Sequence, residues 1–239
     1  MDTPFPVIDT AARGAVIRAT TTPPFDIELL HRHAALAQRK LRAGEYLYRN
    51  GQPFNSLYLV HAGFLKTCEL AQDGREQVTG FPMRGELLGV ESIGLDAYAC
   101  DVVALDDCVV WCVPYHPVLG ASTDDPALHA RLAAALANAI RRDRSWMLTV
   151  GTLAAENRVA AFLLDFAARQ ARLGFSSNHF ILRMGRADIA SYLALTHETV
   201  TRALTRLAQR GLISVLRREI RLLDIPKLRA STGTSATVH

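Results

Sequence analysis

The chain of 239 residues is 49% hydrophobic and carries a formal net charge of +4 at pH 7. This length allows one large domain or two ordinary domains with their own cores, and we expect two. No apolar stretch approaches the roughly 18 residues that a membrane span needs, and the N-terminus lacks the pattern of a signal peptide, so we expect a cytoplasmic protein without membrane contact.

The first half of the chain predicts a short arm, a helix and a β-roll. Residues 1–24 are rich in Pro, Thr and Ala, which favours a flexible arm. Residues 27–40 predict a short helix with Asp26 as its N-cap. From Leu41 onwards, short apolar runs alternate with turns, a pattern typical of a small β-barrel or β-roll. We assign residues 25–122 to this domain, as the sensor or effector domain.

A long helix follows, and we assign it to residues 123–151. Its apolar positions recur at alternating steps of four and three residues, which is a heptad seam and predicts dimerisation. The predicted dimer interface consists of His129, Ala133, Leu136, Ile140, Asp143, Met147 and Val150. Two Asp143 carboxylates would repel each other across parallel helices and weaken the dimer. Two alternatives to this repulsion are open: neighbouring arginines neutralise Asp143, or Asp143 lies solvated at the edge of the seam. The alternative to dimerisation is that the helix packs on the β-roll of its own chain.

Residues 152–239 predict a winged helix-turn-helix domain that binds DNA. Two short amphipathic helices meet at a tight turn, and Val200, Leu204 and Leu207 form the apolar stripe of the second. Gly211 ends that helix, and the two short strands after it predict a wing.

Positive charge is concentrated in the same region. Residues 183–229 contain ten basic and four acidic side chains, whereas the rest of the chain is slightly acidic. A basic window that coincides with a groove-reading motif favours double-stranded DNA as the partner.

Five stretches carry a resemblance to a known family: FNSLYLVHAGFLKT, DGREQVTGF, GELLGVESIG, ENRVAAFLL and LTHETVTRALTRL. In this order, between Asp26 and Leu228, they resemble the CRP/FNR family of bacterial transcription regulators, and within it the FNR-like branch. The resemblance implies an α+β fold with an N-terminal cyclic-nucleotide-binding-like β-roll, a long dimerisation helix and a C-terminal winged helix-turn-helix. It also implies a homodimeric regulator or activator that binds a promoter palindrome and contacts RNA polymerase, and not an enzyme.

The family's base-reading pattern falls on Glu198, Thr201 and Arg202. Arg202 suits guanine, Glu198 suits the amino group of cytosine or adenine, and Thr201 offers a methyl group to thymine. The CRP branch has a further Arg where this chain has His197, so the expected site is a TTGAT-N4-ATCAA-like palindrome. The further candidates for DNA contact are His197, Thr199, Arg186 and Arg206. For the two arginines, ordinary solvent-exposed charge is the alternative.

The nucleotide pocket of CRP relatives is incomplete in this chain. Gly85 and Glu86 match the pair that holds the ribose. Tyr98 and Ala99 stand where the Arg-Ser pair would hold the cyclic phosphate, and they supply neither the charge nor the serine hydroxyl. We therefore do not expect cyclic AMP to bind, and Gly85 with Glu86 would simply shape a turn of the roll.

The iron–sulfur cluster of the FNR type is also not expected. Residues 1–67 contain no cysteine, and the ligand position in the roll aligns with Trp111. The four cysteines, Cys68, Cys100, Cys108 and Cys112, indicate buried thiols, with a non-standard cluster or a thiol switch as the alternative. His31 and His33, two apart on the predicted helix, cannot share one face, which argues against haem.

We therefore predict no cofactor and no metal. Two rival functions remain open. One is an effector-gated regulator with a small ligand, haem or unusual cluster in the roll. The other is a cupin-like metalloenzyme, for which His61, His116 and His179 are too isolated to form a ligand set.

Overall fold

The computed structural model of the chain describes residues 25, 27–70, 74 and 76–233. The predicted arm 1–24, the predicted N-cap Asp26 and most of the AQDG turn at 71–74 lie outside this part. Among the helices of the described residues, none is long and apolar enough to cross a membrane.

The N-terminal half of the described chain is mainly a β-roll of two four-stranded antiparallel sheets. Its strands are β1 (Ala37–Leu41), β2 (Tyr46–Tyr48), β3 (Ser56–Ala62), β4 (Leu65–Leu70), β5 (Glu76–Gly80), β6 (Leu87–Leu88), β7 (Asp101–Ala104) and β8 (Cys108–Pro114). The sheets have the orders β1-β8-β3-β6 and β2-β7-β4-β5. Alternating residues, such as Leu57 and Leu59 of β3 and Val102 and Ala104 of β7, are buried in one core, as the period of two along a strand requires.

A helix precedes β1, but it is shorter than the sequence predicted. Helix α1 spans Ile27–His31, and residues 37–41, which we expected to be helical, form β1. β1 pairs with β8 along its whole length, beginning with Ala37 opposite Cys112. The hydrogen bonds of this ladder and the burial of Leu41 outweigh the helix preference of the Ala-rich segment, because such preferences are weak.

Two helices follow the roll, α2 (Tyr115–Asp124) and the long α3 (Pro126–Thr152). Asp125 separates them and caps α3, since its carboxylate accepts hydrogen bonds from the backbone N–H groups of Ala127 and Leu128. Leu128 is fully buried in the core of the roll. The cap and this anchor fix where the long helix begins and how it leaves the roll.

The C-terminal part is a winged helix-turn-helix, as the sequence predicted. Its elements are α4 (Ala155–Arg172), β9 (His179–Ile181), α5 (Arg186–Tyr192), α6 (His197–Gln209), β10 (Ile213–Leu216), β11 (Glu219–Leu222) and α7 (Ile225–Ser231). The wing is a three-stranded sheet in the order β10-β11-β9. Gly211 follows α6 with a φ of 69°, the left-handed conformation that glycine adopts after a helix end.

The two halves of the chain share a hydrophobic core. Cys68, Val78 and Met83 of the roll belong to the same buried cluster as the helices of the C-terminal part. Phe64, in the connection between β3 and β4 of the roll, stacks on Phe166 of α4 with ring centroids 5.8 Å apart. The helix-turn-helix is therefore packed onto one sheet of the roll.

Candidate DNA-binding site

Helix α6 presents one apolar side to the core and one polar side to solvent. Val200, Leu204 and Leu207 are 0%, 2% and 0% exposed, so the stripe predicted from the sequence is the buried side. Thr196 caps the helix, because its hydroxyl accepts a hydrogen bond from the backbone N–H of Thr199 at 3.2 Å. The cap and the stripe together fix the orientation of the polar side.

The three predicted base-reading residues lie on that polar side. Glu198 and Arg202 are exposed and Thr201 is half-buried. The hydroxyl of Thr201 donates to the backbone carbonyl of His197 at 3.0 Å, which leaves its methyl group free for contact. Hydrogen bonds from its own backbone N–H and the Thr196 hydroxyl hold the pKa of Glu198 below its ordinary value. Glu198 is therefore an ionised acceptor, beside the permanent donor Arg202.

The other candidate residues are less uniformly placed. His197 and Arg206 are exposed, whereas Thr199 and Arg186 are half-buried. The hydroxyl of Thr199 already lies 2.9 Å from that of Thr196. We therefore expect Thr199 to act on a phosphate through the N-terminal turn of α6 more than through its own hydroxyl.

Ion pairs neutralise part of the basic window. Arg183 lies 3.5 Å from Asp106 of the roll, and Arg210 lies 2.6 Å from Glu156 of α4. These two arginines connect elements of the fold, so the window holds less free charge than a count of its residues suggests. Exposed Arg202 and Arg206 remain on α6 itself.

The turn between α5 and α6 contains a strained residue. Ala194 has a φ of 52°, in the left-handed region that disfavours a residue with a Cβ. The side chain of Arg158 donates to the carbonyls of Leu193 and Leu153 at 3.2 Å and 2.9 Å. Arg158 thus fastens the turn to the start of α4, a role that sequence reasoning missed because Arg158 and Leu193 are 35 residues apart.

We predict that Ala194→Gly stabilises the protein. Glycine removes a strain of about 1–2 kcal/mol, while its greater freedom in the unfolded chain costs about 0.4–1 kcal/mol. The net expectation is a gain of about 0.5 kcal/mol or slightly more in the free energy of unfolding, measured by urea titration. The matched control is Ala168→Gly inside α4, which should destabilise by about 1 kcal/mol. A loss of stability in Ala194→Gly would contradict the strain argument.

The predicted seam of α3 faces away from the chain's own cores. His129, Ala133, Ile140, Asp143 and Met147 are exposed, and Leu136 and Val150 are half-buried. Ile140 is 52% and Met147 75% exposed. The helix packs on its own chain through its other side, where Leu128 and Trp146 are buried.

In the roll, Tyr98, which we expected at the position of the nucleotide phosphate, belongs to an aromatic cluster. Tyr98 is 4% exposed and stacks on Tyr48 with ring centroids 3.9 Å apart. Its hydroxyl donates to the backbone carbonyl of Ser56 at 2.7 Å. The Tyr98 hydroxyl is therefore engaged within the chain.

Glu86 is engaged within the protein. Its carboxylate oxygens accept hydrogen bonds from Arg142 of α3 and Arg169 of α4, both at 2.8 Å. Local sequence patterns carry no signal for these hydrogen bonds, because the partners are 56 and 83 residues from Glu86. The sequence suggested that Glu86 only shapes a turn of the roll. In the structure it also binds two helices.

The cysteines and histidines of the described residues form no cluster of three or more metal-binding side chains with each other or with carboxylates. Cys68, Cys100 and Cys108 are buried and Cys112 is half-buried. Burial raises the pKa of Cys68 and of Cys108 to about 12, so both thiols stay protonated. His33 lies 2.8 Å from the carboxylate of Asp125, beyond the end of the helix in which we expected it.

Comparison with known proteins matches both parts of the chain. Residues 157–231 match the Crp-like helix-turn-helix domain, and residues 38–122 match the cyclic nucleotide-binding domain. The chain is 37% identical over 195 residues to the transcriptional activator protein Anr of Pseudomonas aeruginosa, covering 82% of this chain and 80% of that protein. It is 37% identical over 194 residues to the transcriptional regulatory protein Btr of Bordetella pertussis, covering 81% and 80%. Among solved structures, FixK2 of Bradyrhizobium japonicum has a TM-score of 0.77 and 30% identity, covering 86% of this chain and all of that one.

Proposed function

The chain belongs to the CRP/FNR family of transcription regulators, and we propose that it binds a TTGAT-N4-ATCAA-like palindrome as a homodimer, without an effector. The protein is a DNA-binding regulator and not an enzyme. The observation that carries the proposal is the solvent-facing group of Glu198, Thr201 and Arg202 on the outer side of α6.

The proposed half-site follows from the chemistry of these three side chains. Arg202 donates two hydrogen bonds to O6 and N7 of guanine, and Glu198 accepts from the amino group of cytosine or adenine. The free methyl group of Thr201 packs on the methyl group of thymine. Arg186, Thr199 and Arg206, with the exposed His197, are proposed to contact the backbone around the half-site.

The exposed seam of α3 supports the proposed homodimer. Soluble monomers seldom expose side chains as large and apolar as Ile140 and Met147 along one helix stripe without a partner. A twofold axis along this seam places two copies of α6 on one side of the DNA, which matches a palindrome. We accordingly propose α3, which covers most of the predicted span 123–151, as the dimerisation helix. It lies between an effector-type domain at 25–122 and a DNA-binding domain at 152–239, with 1–24 as an arm.

Activation of transcription is proposed from the relatives, since Anr is by name a transcriptional activator. An activator of this kind contacts RNA polymerase at the promoter, and we propose the same partner here. Because its target is DNA, the proposed place of action is the cytoplasm.

An effector-gated regulator is the second candidate, favoured by the match to the cyclic nucleotide-binding domain at 38–122. The engaged Glu86 and the stacked Tyr98 speak against a cyclic nucleotide in particular. A thermal-shift screen with cyclic nucleotides and haem separates the two candidates, because a ligand that binds only the folded state raises the melting temperature.

The direct test is a gel-shift titration of the purified protein in air. We expect a dimer to shift the TTGAT-N4-ATCAA duplex without added ligand. A duplex with both half-sites scrambled is the matched control. We expect the protein to bind this duplex only non-specifically, with an affinity that falls steeply as the salt concentration rises. A strict requirement for anaerobic reconstitution or for a ligand would overturn the proposal.

We predict that Asp143→Ala strengthens the dimer. Desolvation raises the pKa of Asp143, while the charge of Arg142 lowers it and that of Glu91 raises it further. The ionised form of this carboxyl group is therefore already disfavoured within the single chain. Two such carboxylates approaching across the seam repel by roughly 1–4 kcal/mol. Sedimentation velocity should show a lower dissociation constant. Asp124→Ala, at an exposed carboxylate off the seam, is the control, and an unchanged constant for Asp143→Ala would indicate a solvated edge.

A further inference from the structure

The carboxylate of Glu86 lies where three parts of the chain meet. Each of its oxygens accepts a hydrogen bond from a different helix, from Arg142 of α3 and from Arg169 of α4, at 2.8 Å each. Arg169 also donates to the backbone carbonyl of Phe81 at 2.6 Å, and Asp165 lies 3.7 Å away. One residue of the roll therefore connects the long helix to the first helix of the DNA-binding part.

These charges are largely shielded from solvent. The side chains of Arg169, Asp165 and Glu86 are 7%, 13% and 23% exposed, and that of Arg142 is 35% exposed. Burial opposes ionisation of Glu86, but the two guanidinium groups hold its pKa below the ordinary value. Buried ion pairs contribute little net stability compared with apolar packing, whereas loss of one partner leaves an unpaired buried charge. The consequence of such a cluster is mainly that it favours one arrangement of the segments that it joins.

The arrangement of α3 and α4 bears on the position of α6. Residues 153–154 connect α3 to α4 along the chain, and Trp146 of α3 packs near Phe162 of α4 with ring centroids 6.4 Å apart. Helices α4 and α6 are packed as one unit, because Phe166 of α4 lies in the same buried cluster as Leu204 and Leu207 of α6. In a dimer formed through α3, the angle between α3 and α4 sets the distance between the two copies of α6, and a palindrome with a fixed spacer requires one such distance.

Other polar contacts also fasten the DNA-binding part to the roll. Lys66 of β4 lies 3.0 Å from Asp188 of α5, and the backbone N–H of Val78 donates to the hydroxyl of Ser191 at 2.8 Å. These two contacts join the roll to α5 and do not involve α3. The ion pair between Glu86 and Arg142, in contrast, includes the long helix.

We propose that Glu86 is a positioning residue for DNA binding, which holds α3 and α4 at the angle that suits the palindrome through Arg142 and Arg169. The inference rests on the proposed binding of a palindrome without an effector. Both arginines that bind the Glu86 carboxylate belong to the same chain, so the contact needs no bound molecule. The internal contact makes an effector unnecessary for aligning the two halves.

Spacer preference tests this proposal. Fluorescence anisotropy measures the affinity for TTGAT-N4-ATCAA, for duplexes with the spacer two base pairs shorter or longer, and for a single half-site. The wild type should prefer the four-base-pair spacer. Glu86→Gln should lose about tenfold in affinity for it, with little preference left among spacers and unchanged affinity for the half-site. Arg142→Gln should behave likewise, and the double variant should lose no more than Glu86→Gln alone.

Glu69→Gln, at an exposed carboxylate of the roll, is the matched control and should bind like the wild type. If Glu86→Gln is too unstable to measure, Arg142→Gln decides, because it leaves the contact between Glu86 and Arg169 in place. A wild type that binds the palindrome while both variants keep its affinity and spacer preference would overturn this inference alone. A wild type that needs a ligand to bind would overturn the proposed function, and the inference with it.

Discussion

The double substitution Ile140→Glu with Met147→Glu is expected to leave a folded monomer that no longer binds the palindrome. Both side chains are more than half exposed in the single chain, so the substitutions remove little packing within it. In the proposed dimer, each apolar side chain that becomes buried contributes about 1.5–3 kcal/mol. The two substitutions remove four such side chains from each dimer, and four carboxylates take their place in a seam that already contains Asp143.

The loss of DNA affinity follows from the loss of the dimer. A dimer holds both half-sites with one molecule, so the second α6 binds at the high local concentration that the first one creates. A monomer binds through a single half-site, and its affinity should fall by a factor of about 10²–10⁴. Sedimentation velocity gives the mass and anisotropy gives the affinity. Circular dichroism should show the secondary structure of the wild type, while the melting temperature should fall because the dimer no longer stabilises the folded state.

Leu148→Glu is the matched control for this experiment. Leu148 is 48% exposed on the same helix, but it lies one position beyond Met147 and outside the heptad seam. It should remain dimeric and bind DNA normally. A dimeric Ile140→Glu/Met147→Glu variant would show that the molecule dimerises elsewhere, and a monomeric Leu148→Glu would show that the interface is on a different face of α3.

The C-terminal part could be predicted from local patterns because its determinants are local. Val200, Leu204 and Leu207 repeat at helical spacing, and Gly211 follows at the position where a helix ends. Segment 37–41 could not be predicted in this way, because its strand depends on pairing with β8, about 70 residues later. Where a long-range ladder competes with a weak local preference, the ladder decides.

The same distinction between local and long-range determinants applies to the candidate site. The outward direction of Glu198, Thr201 and Arg202 follows from the periodicity of one helix. The engagement of Glu86 does not, because its partners come from two helices that the fold alone brings to the roll. Sequence reasoning suggested that Glu86 only shaped a turn of the roll. The contacts of the folded chain were needed to connect it with Arg142 and Arg169.

Arg202→Ala is expected to remove discrimination at the guanine of the TTGAT half-site. Arg202 is exposed on α6, and among the described residues its guanidinium makes one long hydrogen bond, 3.3 Å to the Thr199 hydroxyl. It is therefore free to turn toward a base, where two parallel hydrogen bonds to O6 and N7 distinguish guanine from adenine. Loss of these bonds should cost about 1–3 kcal/mol per half-site for the guanine duplex. The cost should be much smaller for a duplex with adenine at that position.

The comparison of two arginines on the same helix separates base reading from simple charge. Arg206→Ala removes an exposed charge one turn further along α6. It should weaken both duplexes equally and reduce the salt dependence of binding by about one unit for each phosphate that is no longer neutralised. Arg202→Lys keeps the charge but cannot form the two-pronged hydrogen bond, so it should retain non-specific binding while most of the guanine preference disappears. An unchanged ratio of affinities for the guanine and adenine duplexes in Arg202→Ala would refute the assignment of Arg202 to the guanine, because a residue that acts only by charge changes both affinities together.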